Sequence, residues 1–490
     1  MLFKRPFFAL LLLLCGCQVG PHYKEPCVET PNNWKAPAEI QDEAPCPDIC
    51  YWWEIFQDPT LNGLEELAIQ NNPNLFVAMA RINEAWANAG INRANLYPQY
   101  TLNPSYANTG MLFKIYLPPG VVFPVPDPTV FQKPFRIHQM QYTLPVNVNY
   151  EIDLWGKNQS AFKSAVYNAY AQEEAYRVSL LSLTTTLASS YFNLRTLDAT
   201  IILLEKTLQN RRKAQELAQT RFEKGLRNYS DVASFSLEFS NTESDLQDAL
   251  RQRTVQENTI ATLIGIPAPV FQLERNPLTE QPPAIPAGIP STVLENRPDI
   301  AEAERTMAAE HAQINVAYAS YFPSFSLTGT LGYLSPTFKD FLTWKSRLWA
   351  LGVSIAQILF DGGRTDSTVD ASWARFAQAT GAYQQQVLTA FEEVEDALNN
   401  LEYQKKQYDS LKHSVDDAER LVQISGRQFQ QGLINYNDVV INERSELSAQ
   451  SYYVNILGVR YQSTIQLIKA LGGTWDCISD SNSDSEFERE

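Results

Sequence analysis

Side chains able to do covalent or metal chemistry are sparse in this 490-residue chain, which holds six cysteines and four histidines. Cys46 and Cys50 have the spacing of a metal pair, but His22, His138, His311 and His413 are not near them in sequence, so a zinc site lacks its remaining ligands. No Ser/His/Asp order and no phosphate loop occur. The adjacent carboxylates Glu392 and Glu393 fall on the polar face of a long helical pattern and are expected to be solvated. The reading is therefore not an enzyme, with no metal and no cofactor. More telling are three charged residues, Arg227, Asp231 and Asp438, because they lie within a motif that occurs twice: RFEKGLRNYSDV at Arg221–Val232 and QFQQGLINYNDV at Gln428–Val439.

One further residue is placed for modification. Lys4 and Arg5, the apolar run Phe7–Leu14 and the sequence Leu14-Cys15-Gly16-Cys17 make a secretory signal too short to span a bilayer. Its end resembles a bacterial lipobox, with lipidation and cleavage expected at Cys17 and an ordinary signal peptide cut nearby as the alternative. Gln18 after Cys17 resembles the outer-membrane sorting signal of such lipoproteins. Cys27, Cys46, Cys50 and Cys477 would then meet an oxidising compartment, where disulfides are permitted. The formal charge of −16 argues against nucleic acid, whose phosphates need a basic face.

The elements that position these residues are duplicated. Gly225 and Gly432 stand 207 residues apart, as do Gly156 and Gly363, and Gly265 and Gly472. A gap-free offset of this length is a structural repeat. From Asn158 to Lys224 there is neither Pro nor Gly, and roughly 67 residues at about 1.5 Å each give a helix near 100 Å long. Its seam, from Leu183 through Leu187, Ser190, Leu194, Leu197, Ile201 and Leu204 to Leu208, has coiled-coil spacing, and the second copy keeps the register from Ala390 to Val415. Gly225 and Gly432 suit a left-handed helix end. Ser230 or Asp231, and Asn437 or Asp438, are the expected caps of the returning helices, Asp231–Ile264 and Asp438–Leu471.

Strands have a period of two. Leu144, Val146, Val148, Tyr150 and Ile152 alternate with polar residues, as do Phe325, Leu327, Leu331 and Tyr333, and then Trp349, Leu351, Val353 and Ile355. Each segment is about ten residues, enough for a tilted strand to cross a bilayer; a soluble sandwich would show the same alternation. The first repeat carries 18 residues more than the second between its strands, so Met111–Gln139 is expected as an outer loop. Upstream, Asp58-Pro59 opens a helix with Leu61, Leu64, Leu67 and Ala68 on one face, broken at Pro73.

The expected organisation is a signal at 1–16, a lipidated extended arm at 17–60, a first repeat at 61–265 and a linker at 266–295. A second repeat follows at 296–472, then a disordered acidic tail at 473–490. The first repeat holds a strand hairpin over 99–153 and long helices over 158–264; the second has them over 324–360 and 364–471. Four strands leave two open edges, which lipid does not tolerate. Copies must therefore combine, and two, three or four protomers, with 8, 12 or 16 strands in all, would each close a barrel.

The segments GCQVGPHYKEP, WWEIFQDPTLNGLEELAIQNNPNLFVAMARINEA, YEIDLWGK, NRPDIAEAERTMAAEHAQINVAYASYFPSFSLTG and FDGGR, in this order, resemble the TolC/OprM outer-membrane efflux channels, in their NodT-like lipoprotein branch. His22, where the family commonly has an acidic residue, and Asn315, where it has Gly, are departures. The resemblance implies an α+β membrane protein: a homotrimer with a 12-stranded β-barrel, four strands per protomer, continuing into an α-helical coiled-coil barrel across the periplasm. It implies a passive conduit for drugs or other small toxic compounds, joined through a periplasmic membrane-fusion adaptor to an inner-membrane RND or ABC pump; the outer conduit of type I protein secretion is the alternative. Gly225, Leu226, Gly432 and Leu433 would then be adaptor-docking tips, and Asp231, Asp438 and Arg227 a periplasmic gate, Arg227 taking the place of an Arg that some relatives carry where this chain has Ile434.

Overall fold

The computed structural model describes residues 19–24, 30–31, 33–35, 51–114, 134–226, 228–285 and 296–473. Cys17, Cys27, Cys46, Cys50, Cys477, Arg227, the centre of the first strand loop and the acidic tail lie outside these residues.

The α-helices among the described residues are, in chain order, α1 Pro59–Asn71, α2 Pro73–Ala94, α3 Lys157–Glu223, α4 Tyr229–Leu263, α5 Pro298–Ala319, α6 Arg364–Gln430 and α7 Tyr436–Ala470. The strands are β1 Gln99–Leu102, β2 Ser105–Phe113, β3 Phe135–Ile152, β4 Ser324–Ser335 and β5 Arg347–Ala356. Helices α3 and α6 have 67 residues each, and α4 and α7 have 35 each, so the duplication holds element by element. None of the described helices is long and apolar enough to cross a membrane.

Local chemistry sets the helix ends. Asp58 Oδ1 accepts from the Thr60 amide at 2.9 Å and the Leu61 amide at 3.3 Å, capping α1. Its buried stripe is Leu61, Leu64, Glu65 and Ala68. Leu67, expected on that face, is 39% exposed, because the spacing i, i+3, i+4, i+7 selects position 65 and leaves 67 outside. Asn72 separates α1 from α2 and holds both sides, its Nδ2 donating to Leu263 O at 2.7 Å and its Oδ1 accepting from Asn74 N at 2.8 Å.

All strand pairings are antiparallel. The sheet runs β1 and β2, then β3, β4 and β5. Strands β1 and β2 share one register against β3 across the break at Asn103-Pro104, so they occupy a single strand position, and the sheet has four positions. Met111–Phe113 and Phe135–Gln139, expected within a loop, are paired strand instead, because β2 and β3 keep their ladder to Phe113 and Phe135.

The chain forms two compact units that cut across the repeats: 1–24, 84–169 and 306–379 in one, and 25–83, 170–305 and 380–490 in the other. The first contains the sheet, in which β3 of the first repeat pairs with β4 of the second over eleven positions, from Tyr142 with Ser335 to Ile152 with Phe325. The second is helical, with Ile201, Leu204, Leu246 and Ala249 packed as a core between α3 and α4. Within that unit a buried ion network holds the irregular segment after α4. Asp198 joins Arg195 and Arg253, which donate to Glu274 O at 2.7 Å and Leu273 O at 2.8 Å. The arginines thus supply partners that a segment without a ladder lacks.

Candidate functional site

Three features are candidates for function: the turns at the repeated motif, the charged contacts beside them, and one face of the sheet.

Both turns have the same hydrogen bonds. Leu226 N donates to Arg221 O at 2.9 Å and Gly225 N to Phe222 O at 2.8 Å; in the second copy Leu433 N donates to Gln428 O at 2.9 Å and Gly432 N to Phe429 O at 3.0 Å. This paired 6→1 and 5→2 pattern is the Schellman helix end, which needs a left-handed residue. Gly225 has φ 68° and Gly432 has φ 74°. Each places the following leucine in solvent, Leu226 and Leu433 both being 69% exposed.

The caps of the returning helices lie earlier than the sequence pattern suggests. They are Asn228 and Asn435, and α4 and α7 begin at Tyr229 and Tyr436. Asp438 occupies the third helical position and accepts from the Asn435 amide at 3.2 Å, closing a capping box. Asp231 sits in the first turn of α4, where a carboxylate also favours the helix dipole. Arg227 and Cys17 fall outside the described residues.

Two contacts that sequence reasoning missed join the repeats near these turns. Phe235 of α4 stacks on Tyr436 of α7 with ring centroids 3.8 Å apart, packed with Ala218 and Val232. Deeper along the helices, buried Glu238 is held from both repeats: Arg444 Nε donates to its Oε1 at 2.8 Å and Arg211 lies 3.0 Å from its Oε2. Arg211 also donates to Glu238 O at 2.9 Å and to the Thr242 hydroxyl. The bond from Arg444, with the Arg211 charge, holds the Glu238 carboxyl below its ordinary pKa against the opposing effect of burial. Beside it, burial pushes the Glu443 carboxyl and the Tyr436 hydroxyl up. A signal was available: at the 207 offset Glu238 faces Ser445 and Arg444 faces Leu237, so each charge is private to one copy.

The sheet has an inverted polarity. Trp349, Leu351, Val353 and Ile355 of β5 are 77%, 73%, 68% and 64% exposed. They continue a row set by the register, Val146 with Leu331 and Leu331 with Trp349, then Tyr150 with Leu327 and Leu327 with Val353. The opposite face is built of hydroxyls and amides: Thr330 Oγ1 donates to Asn147 Oδ1 at 2.9 Å, and the Ser326 and Ser354 hydroxyls lie 2.6 Å apart. Carbon outward and polar groups inward is the arrangement of a membrane barrel wall. Among the described residues no cluster of His, Cys, Asp and Glu could hold a metal.

Comparison with known proteins agrees with this geometry. The chain is 29% identical over 465 residues to the pyoverdine export outer membrane protein OpmQ of Pseudomonas aeruginosa, covering 95% of each chain. It is 26% identical over 470 residues to the cation efflux system protein CusC of Escherichia coli, covering 96% of this chain and 98% of that one. The solved structure of the outer-membrane channel OprN superposes with a TM-score of 0.82 at 26% identity, over 94% of this chain and all of that one. Residues 64–266 and 289–473 each match the family described as outer membrane efflux protein, a family of transport proteins and not of enzymes. With both repeats matched, the chain belongs to the outer membrane efflux protein family, and its place is the outer membrane.

Proposed function

We propose that the chain is the outer-membrane channel of a tripartite efflux system, a homotrimer that passively conducts small toxic compounds outward. The observation that carries this reading is the sheet's exposed apolar face with its polar reverse and two unpaired edges. Each unsatisfied backbone group costs several kcal/mol in lipid, so four strand positions must close with those of other copies. Three copies give 12 strands, the number that the family resemblance implies.

The tips and the gate follow from the same assembly. Exposed Leu226 and Leu433, each presented by a glycine turn, are the surface offered to a periplasmic adaptor, behind which an inner-membrane pump supplies the driving force. Asp231, Asp438 and Arg227 line the entrance as its charged ring, and the Arg211–Glu238–Arg444 contact is the link that holds the second-repeat helices against the first in the closed state. Cys17 carries the lipid anchor. The relatives' names span pyoverdine, cations and toluene, which supports small solutes as cargo without choosing among them.

The test is a deletion strain assayed against dyes, antibiotics and metals and for secreted proteins, with native mass spectrometry of the purified protein. Increased sensitivity to small compounds, with a trimer, is expected. Unchanged sensitivity with a lost secreted protein would replace this reading by protein secretion.

A further inference from the structure

We propose that an aromatic groove beside the N-terminal arm seats a fatty acyl chain carried by Cys17, which rests on the lipidation reading above. The groove, ≈ 530 Å³, is bounded by Val19–Pro21 on one side and by Tyr318, Tyr321, Phe322 and Trp373 on the other. Its walls are almost wholly carbon. The volume lies within the range of about 300–1,000 Å³ typical of small-ligand sites.

Two rings of the groove are fixed by contacts outside it. The Tyr321 hydroxyl donates to Asp366 Oδ1 at 2.6 Å, and Gln357 Nε2 donates to Tyr321 O at 3.1 Å. Phe322 stacks on Trp155 at 4.7 Å, and the Trp155 indole donates to Pro323 O at 2.8 Å. What remains toward the groove is ring surface, with Tyr321 41% and Trp373 39% exposed. Apolar rings fixed in this way gain most by covering with carbon.

The arm itself identifies the occupant. Val19 N donates to Trp155 O at 3.2 Å, and Tyr23 meets His311 edge-on at 5.3 Å, so the arm is pinned at both ends. Between them Gly20, at φ 125°, lies so close to Asn315 that a Cβ would meet the Asn315 Cα at 3.3 Å. Val19 is a wall of the groove, and Cys17 is two residues before it. At no more than about 3.6 Å per residue, two residues of chain reach about 7 Å, so the Cys17 backbone stays within that reach of Val19. Tethering on this scale gives an effective concentration in the millimolar range. A seated chain would fasten the arm to α5 and α6 while the remaining chains of the lipid enter the bilayer.

Cells grown with a diazirine-bearing palmitic acid supply a photoreactive anchor on the full-length protein. Intact mass reports lipid on Cys17, and peptide mass spectrometry after irradiation reports where it links. The expected result is an intramolecular link from the Cys17 peptide to the segment 318–322 or to Trp373, reduced about tenfold by Trp373→Glu, equivalent to about 1.4 kcal/mol of lost seating. Lipid present on Cys17 but linked only outside the groove overturns the seating and leaves lipidation standing. Phospholipid adducts filling the groove, or links unaffected by Trp373→Glu, also overturn it. A Cys17 without lipid overturns both readings.

Discussion

Removing Arg444 should open the channel, and the structure sets how far. Glu238 is buried and bonded to Arg444 from the second repeat and to Arg211 from the first, whereas the Arg444 side chain is 53% exposed. Arg444→Ala leaves Glu238 neutralised by Arg211, so the loss is that of one partly solvated ion contact, in which Arg444 Nε and Nη2 share Glu238 Oε1, about 1.5 kcal/mol. That is about tenfold in the closed-to-open ratio. Glu238→Gln strips the counter-charge from buried Arg211 as well and should cost about 3–5 kcal/mol, expressed partly as lost stability. Conductance in planar bilayers reads the opening, and susceptibility to a large antibiotic reads leakage. The double variant should be no more open than Glu238→Gln alone, because the two changes remove one contact. The pH sign is also determined. The folded Glu238 pKa is depressed, so its contribution is present above the ordinary value of 4.5 and is lost as pH falls through the lower folded value. The share of opening that depends on Glu238, read as the difference between the parent and Glu238→Gln, should therefore be constant from neutral pH to about 4.5 and shrink only below it. Unchanged conductance in Arg444→Ala, or strictly additive effects in the double variant, would refute the link.

Three further outcomes are expected. Gly432→Ala forces a Cβ into φ 74° with no neighbour to clash, so the strain of about 1–2 kcal/mol should loosen the tip without unfolding α6 or α7; with Leu433→Asp it should reduce adaptor co-purification and efflux, while circular dichroism stays unchanged. Glu65 is fully buried and neither carboxylate oxygen has a partner, and burial raises its pKa well above 4.5. Its proton is held on folding, so stability is greatest at acid pH and falls as pH rises above 4.5; Glu65→Leu should gain about 1–3 kcal/mol at neutral pH, an advantage that thermal unfolding should find shrinking toward pH 4. Val353→Lys puts an ammonium on the exposed apolar face and should cost about 2–4 kcal/mol of barrel stability, read as loss of the heat-stable oligomer on gels; Ser354→Lys, on the polar face, should not.

How legible each feature was depended on how local its cause is. The glycine turns were readable because a left-handed helix end admits few other residues, and Gly-Leu recurs with the same neighbours. Their caps were misplaced because Asn, Ser and Asp crowd the same few positions, and a capping box uses two of them at once: Asn435 begins the helix and Asp438 closes back on it. Leu67 looked like core by hydrophobicity alone. Helix phase puts Glu65 there instead, a residue whose type argued against burial.

By itself the sequence determined the duplication, the two 67-residue helices, the alternation of the strands and the chemistry of the turns. The duplication is a fixed offset, the helices and strands are periods and the turns are single backbone angles, so each is visible along the chain without knowing what packs on what. Only the tertiary structure decided that β3 pairs with β4 across the repeats, that the apolar face from Val146 to Trp349 stays uncovered, and that Glu238 meets Arg444. Those partners lie as many as 206 residues apart, and their pairing is chosen by packing that no local pattern carries.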